Sequence, residues 1–288
     1  MKNLILFIST ILFCSLSVQG QSEQSSSLLW EISGKKVKSP SYIFGTMHLI
    51  PEKDFLFPET LKKKVASSDI LVMEIGGLSE QFKAMQLMML DSGSMFDPFT
   101  EAQLDSIFTY GEENLGFTEE MMRMSFNKMK PFVLIQLFMK ESFGDNPQSY
   151  ELTLEKIAKE HDVEIIGLET IEEQMGFIDN LSQEDQVEMV MESIRSKDGG
   201  LSETRELTNI YLSQNIDSLY NFTTSKDISP EFEENFLIKR NQKWIEPISK
   251  IIKKNKAFIG VGAAHLGGPE GVIELLRKEG YTLTPVQL

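Results

Sequence analysis

The sequence predicts an α/β protein with a central, mainly parallel sheet flanked by helices, and with a Met-rich helical insertion. Two observations support this fold class. Short, nearly continuous apolar runs occur at 69–75, 163–168, 257–261 and 281–286, and helical stretches separate them. Runs of this kind are typical of parallel strands that are buried on both faces. In addition, two apolar segments at 28–32 and 41–44 bracket Gly34-Lys35-Lys36, which predicts a β-hairpin near the start.

The first twenty residues have the pattern of a secretory signal peptide. Lys2 precedes an apolar stretch at 4–16, and small or modest residues lead to a cleavage position near Gly20. A membrane anchor is the alternative, but the apolar stretch is too short to span a bilayer. The single cysteine, Cys14, lies in this segment and follows a Phe that is too large for a lipoprotein signal. The mature chain is therefore expected to be exported, periplasmic or extracellular, and to have no disulfide.

The predicted elements follow in order. Residues 21–27 are expected to be a flexible leader, and 28–288 one α/β domain with helical insertions at about 80–150 and 172–235. Besides a short helix at 58–67, the periodicity predicts further helices at 80–90, 119–139, 183–196, 203–222, 231–254 and 269–278.

Nine of the fifteen methionines lie between Met85 and Met139. Flexible, polarisable methionines favour either an adaptable substrate surface or the core of a helical insertion, and the core is the favoured interpretation.

The formal net charge of −15 argues against nucleic-acid binding, because phosphate contacts need basic patches. No second apolar run is long enough to cross a bilayer, so no stable membrane span is expected after removal of the signal. The sequence does not specify the oligomeric state.

Two of the three histidines share one four-residue pattern, Gly45-Thr46-Met47-His48 and Gly262-Ala263-Ala264-His265. Each pattern directly follows a predicted buried strand, and the histidines are 217 positions apart (265 − 48). Imidazoles at strand ends favour a metal or catalytic site. The alternative is two histidines satisfied by local hydrogen bonds. The third histidine, His161, is expected in an exposed loop.

Two carboxylates also follow apolar runs. Glu74 ends the run 70–73, and Glu169 follows 163–168 in the same manner. A buried carboxylate needs a metal ion or a cationic partner. The alternative is a strand that emerges into solvent at Glu74. Parallel strands would bring both carboxylates to the same edge of the sheet.

Arg240 and Asn241 interrupt the apolar stripe of the predicted helix 231–254, which Leu237 and Trp244 mark. Polar groups on a buried face need partners. They are expected either to reach the site carboxylates or substrate, or to form a structural salt bridge. No nucleophile elbow, phosphate-binding loop or dinucleotide fingerprint is present.

These segments together resemble the TraB/GumN family, which is related to the Tiki proteases. The resemblance covers about 28–286 and rests on the two histidine patterns, on 71–74, on 167–170 with Gln174, and on 239–244. It implies an α/β core shared with erythromycin-esterase-like and ChaN-like proteins. It also implies a metal-dependent protease that uses manganese or cobalt.

Carried over, the resemblance makes His48, Glu74 and His265 the candidate metal ligands or acid/base groups, and Arg240 and Asn241 supporting residues. The family often has Leu-Asp ahead of the strand 163–168, where this chain has Tyr150-Glu151-Leu152. No ligand is predicted there.

We therefore expect an exported metal-dependent hydrolase that acts on a peptide or protein, with Glu74, Glu169, Arg240 and Asn241 at the catalytic site. A set of two histidines and one glutamate would also suit zinc. The alternative is a non-catalytic protein that binds a peptide signal or a haem-like ligand on the same fold.

Overall fold

The computed structural model describes residues 26–195, 200–224 and 233–288 of the 288-residue chain. Its centre is a six-stranded sheet with the order β4-β3-β5-β2-β1-β6. The strands are β1 Leu29–Ser33, β2 Ser41–Thr46, β3 Ile70–Ile75, β4 Glu164–Glu169, β5 Ala257–Gly262 and β6 Thr282–Val286.

Twelve α-helices surround this sheet within the described residues. They are α1 Glu59–Ala66, α2 Gly77–Leu87, α3 Glu101–Leu115, α4 Glu119–Phe126, α5 Phe132–Glu141, α6 Tyr150–Glu160, α7 Ile171–Asp179, α8 Gln183–Arg195, α9 Leu201–Leu212, α10 Ile216–Thr224, α11 Lys239–Ile252 and α12 Val272–Lys278. The predicted α/β class is confirmed.

The sheet is mostly parallel, as predicted. Strands β4, β3, β5 and β2 pair in parallel with one another. The predicted hairpin is also present: β1 pairs antiparallel with β2, and the turn between them begins at Gly34, Lys35 and Lys36, all with positive φ.

The strand predicted at 281–286 is present but is not buried among parallel neighbours. Strand β6 runs in the same direction as β2 and β5, but it lies at the edge of the sheet beside β1, so its pairing is antiparallel. Residues Thr282 and Thr284 are exposed there, because an apolar run does not reveal which strand will be its neighbour.

Three predicted helices differ in detail. The stretch 119–139 is two helices, α4 and α5, because Pro131 between them cannot continue a helix that began before it. The stretch 203–222 is two helices, α9 and α10, because Gln214 has a positive φ of 58° that breaks the helix between them. Before α11, residues Glu234–Ile238 form a π-helical turn. Such turns insert one extra residue and are frequent at functional sites.

The core lies on both faces of the sheet because successive strand residues point to opposite sides. On β3, Leu71 and Met73 pack with α6, whereas Ile70 and Val72 pack on the side of α11 and α12. A separate apolar cluster fills the space between α3, α4, α5 and α8.

The methionines of the helical insertion divide between two environments. Met95 and Met122 are fully buried in that separate cluster, in agreement with the favoured prediction of core filling. Met85 and Met124 are exposed to 62% and 80%. The insertion therefore has a methionine core and methionines on its surface.

The signal-peptide prediction for 1–20 falls outside the described residues. At the end of the predicted leader, the Ser27 side chain is buried and donates to the Val286 carbonyl at 2.6 Å. In the described ranges, no helix combines the length and the apolar character needed to cross a bilayer.

Candidate functional site

The carboxyl ends of three neighbouring strands bring the predicted residues to one edge of the sheet. Strand β5 lies between β3, which carries Glu74, and β2, which leads to His48. In the register of β2 and β5, Thr46 lies beside Gly262. The two histidine patterns thus leave adjacent strands almost side by side, although 217 positions separate the histidines (265 − 48).

The glycine of each pattern permits a close approach that a larger residue would block. A Cβ atom on Gly45 would come within 2.9 Å of both the Ala263 Cβ and Leu266, so the second pattern packs directly on the first. A Cβ atom on Gly262 would come within 3.2 Å of a Glu74 carboxylate oxygen. Glycine at this position leaves the space that the carboxylate uses.

Glu74 is buried and fully engaged. Its Oε1 accepts the Gly262 N–H at 2.7 Å, and its Oε2 accepts from Arg240 Nη2 at 2.5 Å and from Gln174 Nε2 at 3.3 Å. Burial raises the pKa of Glu74, but His265, Arg240 and His48 together with the Gly262 N–H outweigh it and lower the pKa to about 2. Glu74 is therefore ionised at neutral pH, and the alternative of a strand emerging into solvent does not apply.

Arg240 joins the two strand-end carboxylates. Its Nε donates to both oxygens of Glu169, at 3.0 and 3.2 Å, and its Nη2 bridges Glu169 and Glu74. Its Nη1 donates to the Phe236 carbonyl at 3.2 Å and contacts His265 Nε2 at 3.2 Å. The side chains of Arg240 and Glu169 are only 7% and 1% exposed. Arg240 thus reaches both strand-end carboxylates, an arrangement that a site support and a structural salt bridge share.

This arrangement uses every N–H group of the Arg240 guanidinium. The group has five N–H donors in a rigid plane. One on Nε and two on each terminal nitrogen match the five partners, which are two from Glu169, one from Glu74, the Phe236 carbonyl and His265. The guanidinium is thus an internal counter-ion for two buried carboxylates, with no donor left over for a further ligand.

The pKa values of the two carboxyl groups move in opposite directions. Burial raises the pKa of Glu169, and the nearby Glu74 charge adds to this effect, while Arg240 opposes it. Glu74 keeps a low pKa in the same environment. Two close carboxylates with separated pKa values are frequent at functional sites.

His265 is buried in a short 3₁₀ turn, Ala263–His265, directly after β5. Its ring packs against Trp244 with centroids 4.6 Å apart. Its Nδ1 lies 2.6 Å from Asn241 Oδ1, and the Asn241 amide nitrogen donates to the Glu270 carbonyl at 2.9 Å. The bond to Glu270 fixes the orientation of the amide, so Asn241 Oδ1 is the acceptor and His265 Nδ1 carries a proton.

Burial lowers the pKa of His265 to about 3, and Arg240 contributes in the same direction while Glu74 opposes it. The ring is therefore neutral at neutral pH, with its lone pair on Nε2. This Nε2 lies 4.0 Å from Glu74 Oε1 and accepts from Arg240 Nη1. Asn241, predicted at the catalytic site as a support, thus determines which nitrogen of His265 faces the carboxylate.

His48 lies at the same edge but in a different environment. Its side chain is 75% exposed, and its Nδ1 lies 3.0 Å from Glu151 Oε1. This hydrogen bond raises the pKa of His48 to about 9, and the Glu74 charge acts in the same direction while Arg240 opposes it. The ring is therefore protonated at neutral pH, and a metal ion would have to displace the proton on Nε2. His48 therefore belongs to the same electrostatic site, although its direct partner is Glu151.

Sequence reasoning missed the contact of Glu151 with His48, while the prediction that 150–152 holds no ligand stays a prediction. Glu151 lies in the first turn of α6, which precedes β4 and begins at the carboxyl edge of the sheet. Helices that connect parallel strands run antiparallel to them, so their first turns reach this edge. This topological rule could have indicated that Glu151 lies near His48. Spacing along the chain could not, since 103 positions separate the two residues.

The predicted residues thus form two connected groups. Glu74, Glu169, Arg240, Asn241 and His265 make one buried network, and His48 lies beside it with Glu151. His161, in contrast, is exposed at the end of α6, as predicted, with its Nδ1 3.0 Å from the Ile157 carbonyl.

The donor atoms fit a divalent metal ion in kind, because both site histidines are anchored through Nδ1 and Glu74 adds a carboxylate. Among residues 26–195, 200–224 and 233–288, however, no three His, Cys, Asp or Glu side chains already stand close enough to hold an ion. Of the three candidate ligands, His265 and Glu74 face one another, with Nε2 and Oε1 4.0 Å apart. An ion would therefore depend on a closer approach of His48 to this pair and on Arg240 releasing His265 Nε2.

Comparison with known proteins identifies one family. The model of the TraB/PrgY/gumN family matches residues 28–285, which is nearly the whole described domain. No curated protein and no solved structure shows a significant match.

Proposed function

Because this chain belongs to the TraB/PrgY/gumN family, we propose that it is an exported metal-dependent hydrolase that cleaves a peptide bond, as the resemblance to Tiki proteases suggests. His48, Glu74 and His265 would hold the ion. Manganese or cobalt is the expectation from the resemblance, and two imidazoles with one carboxylate would also accept zinc.

The observation that carries the proposal is the pairing of Glu74 with His265. An ionised carboxylate and a neutral imidazole face one another, with Oε1 and Nε2 4.0 Å apart, in a buried position where each requires a compensating partner. Their residue types, protonation states and orientations are those of metal ligands. A purely structural core would be satisfied more simply by apolar side chains.

The bound ion would polarise a substrate carbonyl and lower the pKa of a bound water toward ~7. The residues of the chain have separate tasks around it. Asn241 fixes the His265 ring by accepting a hydrogen bond from its Nδ1–H, and Glu74 would serve as a ligand or as the base that takes the proton of the water.

Arg240 and Glu169 act together in this proposal. Arg240 keeps Glu74 ionised by direct contact, and Glu169 holds the guanidinium in place through both of its oxygens. Stabilisation of an oxyanion by Arg240 stays a prediction. It would require one of the five occupied N–H groups to exchange its present partner for the substrate.

Metal analysis of the purified mature protein tests the proposal. After incubation with manganese, cobalt or zinc and removal of the excess, the wild type should retain the metal, and a His48→Ala, His265→Ala double variant should not. His161→Ala is the matched control, because this exposed histidine lies outside the site. Equal and negligible retention in wild type and double variant would refute metal binding.

A peptide-library digest with and without chelator then distinguishes an enzyme from a binding protein. Cleavage that stops with chelator and returns with metal supports the hydrolase. Cleavage that is insensitive to chelator, or no cleavage at all, contradicts it. Retention of an intact peptide, or a Soret band on purification, would instead support the non-catalytic alternative.

Export is tested separately by fractionating cells that produce the full chain and sequencing the N-terminus of the mature protein. The proposal expects an exported product that begins near residue 21. A protein that remains inside the cell with residues 1–20 intact would contradict it.

A further inference from the structure

We propose that Glu151 is a positioning residue for the site: through its contact with Nδ1 it holds the His48 ring and leaves Nε2 as the nitrogen available to a ligand. The role of Nε2 as a metal ligand rests on the proposed function. The orientation itself is a property of the metal-free protein and is testable without any metal.

Glu151 is fixed from three directions. Its Oε1 accepts from Thr46 Oγ1 at 2.7 Å as well as facing His48 Nδ1 at 3.0 Å, and its Oε2 accepts from Ser149 Oγ at 3.0 Å. Ser149 is also the N-cap of α6, where its Oγ accepts the Leu152 N–H. The carboxylate therefore joins the start of α6 to the end of β2 with little freedom to move.

The position of Glu151 in the helix adds to this rigidity. The first turn of a helix favours a negative charge because the unpaired backbone N–H groups point toward it. The carboxylate is three-quarters buried, and its pKa is lowered despite the opposing effect of burial, by His48 and by the hydrogen bond from Thr46. Glu151 is thus a constant acceptor at neutral pH.

His48 needs such an anchor. Its side chain is exposed, and within the part of the chain that the structure describes its ring has one hydrogen-bond partner, Glu151. An exposed imidazole without a partner samples several rotamers and both neutral tautomers. A bond from Nδ1–H to a fixed carboxylate selects one ring orientation, so Nε2 is the nitrogen that loses its proton when the ring becomes neutral.

The second histidine, His265, is also held by a hydrogen bond at Nδ1, but its partner is an amide. His265 donates its Nδ1–H to the amide oxygen of Asn241, and its Nε2 faces Glu74. Both histidines are therefore anchored through Nδ1, one by a carboxylate and one by an amide. Partners of this kind typically account for 10–100-fold in metal affinity or activity.

Nitrogen-15 NMR of the three histidine rings tests the orientation directly. The spectra are recorded on the metal-free mature protein at about pH 10, above the raised pKa of His48, so that this ring is neutral, and His→Gln variants assign the signals. In the wild type, His48 should carry its proton on Nδ1. In Glu151→Ala, His48 should shift to the tautomer mixture of an unconstrained ring, while His161 and His265 keep their signals.

Two further variants separate positioning from other effects. Glu151→Gln retains an oxygen that can accept from Nδ1, so it should keep most of the wild-type His48 signal. Glu155→Gln changes another glutamate of α6 whose partner is Lys159, and it should leave all three histidines unchanged. A rescue by Gln identifies the acceptor atom, and not the charge, as the feature that matters.

A titration with Co²⁺ or Mn²⁺ then measures how the loss of Glu151 changes the metal affinity. Glu151→Ala should bind the ion about 10–100-fold more weakly than the wild type, and Glu151→Gln should lie close to the wild type. If neither wild type nor variant binds metal while the NMR changes follow the expected pattern, the proposed function fails and the positioning role stands.

Two results would overturn the inference. One is a His48 signal that is the same in wild type and Glu151→Ala. The other is a Glu151→Ala variant in which all three histidines shift together, since this pattern would identify Glu151 as a residue that supports the fold in general.

Discussion

Replacing Arg240 with Gln should destabilise the protein more than any ordinary surface change. The guanidinium lies between Glu74 and Glu169, and all three side chains are at most 10% exposed. Gln is shorter and neutral, so it cannot reach both carboxylates or balance their charge. The variant leaves two carboxylates close together in a buried site without a cation.

The magnitude follows from the desolvation of the remaining charges. Removing one partner of a buried ion pair typically costs about 3–5 kcal/mol of the free energy of unfolding, because the other partner stays buried without compensation. For a domain of this size, that loss lowers Tm by roughly 6–20 °C. Protonation of one carboxyl group limits the loss, and the raised pKa of Glu169 makes it the group that takes up the proton first.

The unfolding free energy that Arg240→Gln loses should be greater at neutral pH than in acid. Without Arg240, burial and mutual repulsion raise the pKa of both carboxyl groups, so their ionised forms oppose folding. Once acid protonates them, the missing cation matters less. The difference in unfolding free energy between wild type and variant should therefore be largest near neutral pH and smaller near pH 4.

Urea unfolding of the mature protein at both pH values measures this difference. Arg195→Gln is the matched control, because Arg195 is more than half exposed and pairs with the equally exposed Glu188, so its unfolding midpoint should not change. A loss below about 1 kcal/mol for Arg240→Gln at neutral pH, or a loss that does not shrink in acid, would refute the role of Arg240 as an internal counter-ion.

Three further predictions concern the turn that carries His265. Gly267→Ala should unfold at a markedly lower urea concentration, because its Cβ would lie 2.2 Å from the Ile216 carbonyl oxygen. Gly176→Ala is the control: this glycine has open space around it in α7, so the variant should be more stable by about 0.5–1 kcal/mol. Asn241→Ala should cost about 1–3 kcal/mol in the same assay by leaving buried polar groups of His265 and Glu270 unpaired, and a wild-type stability would contradict this. Between pH 6.5 and pH 5 the free energy of unfolding of the wild type should fall by roughly 1–2 kcal/mol. The pKa of His265 is 6.5 in the unfolded chain and about 3 in the folded protein, so acid protonates the unfolded state first. His265→Gln should lose much less, and an equal loss in both proteins would refute this cause.

Much of the fold could be predicted from the sequence because the signals are local. The apolar runs at β3, β4 and β5 and the turn at Gly34 specify strands and a hairpin through side-chain pattern and backbone conformation. The edge position of β6 beside β1 could not be predicted in this way, since the pairing partner of a strand is a long-range property.

The candidate site was partly predictable for the same reason. Glu74, Glu169 and His265 lie at strand ends, and parallel strands end at one edge, so the pattern and the topology together placed them. The burial of Arg240 and Asn241 followed from their position on an apolar helical stripe. These predictions needed only the direction in which each side chain leaves its element.

The sequence by itself determined the family, the α/β core and the edge at which the functional groups collect. Only the tertiary structure decided which atoms meet there. It paired all five N–H groups of Arg240 with acceptors and placed Glu151 beside His48. It also placed Asn241 where its amide oxygen accepts a hydrogen bond from His265 Nδ1–H and so selects the tautomer of that ring. The physical reason is that hydrogen bonds and ion pairs depend on atomic positions within a few tenths of an ångström, and residues remote in the chain acquire those positions only when the core packs.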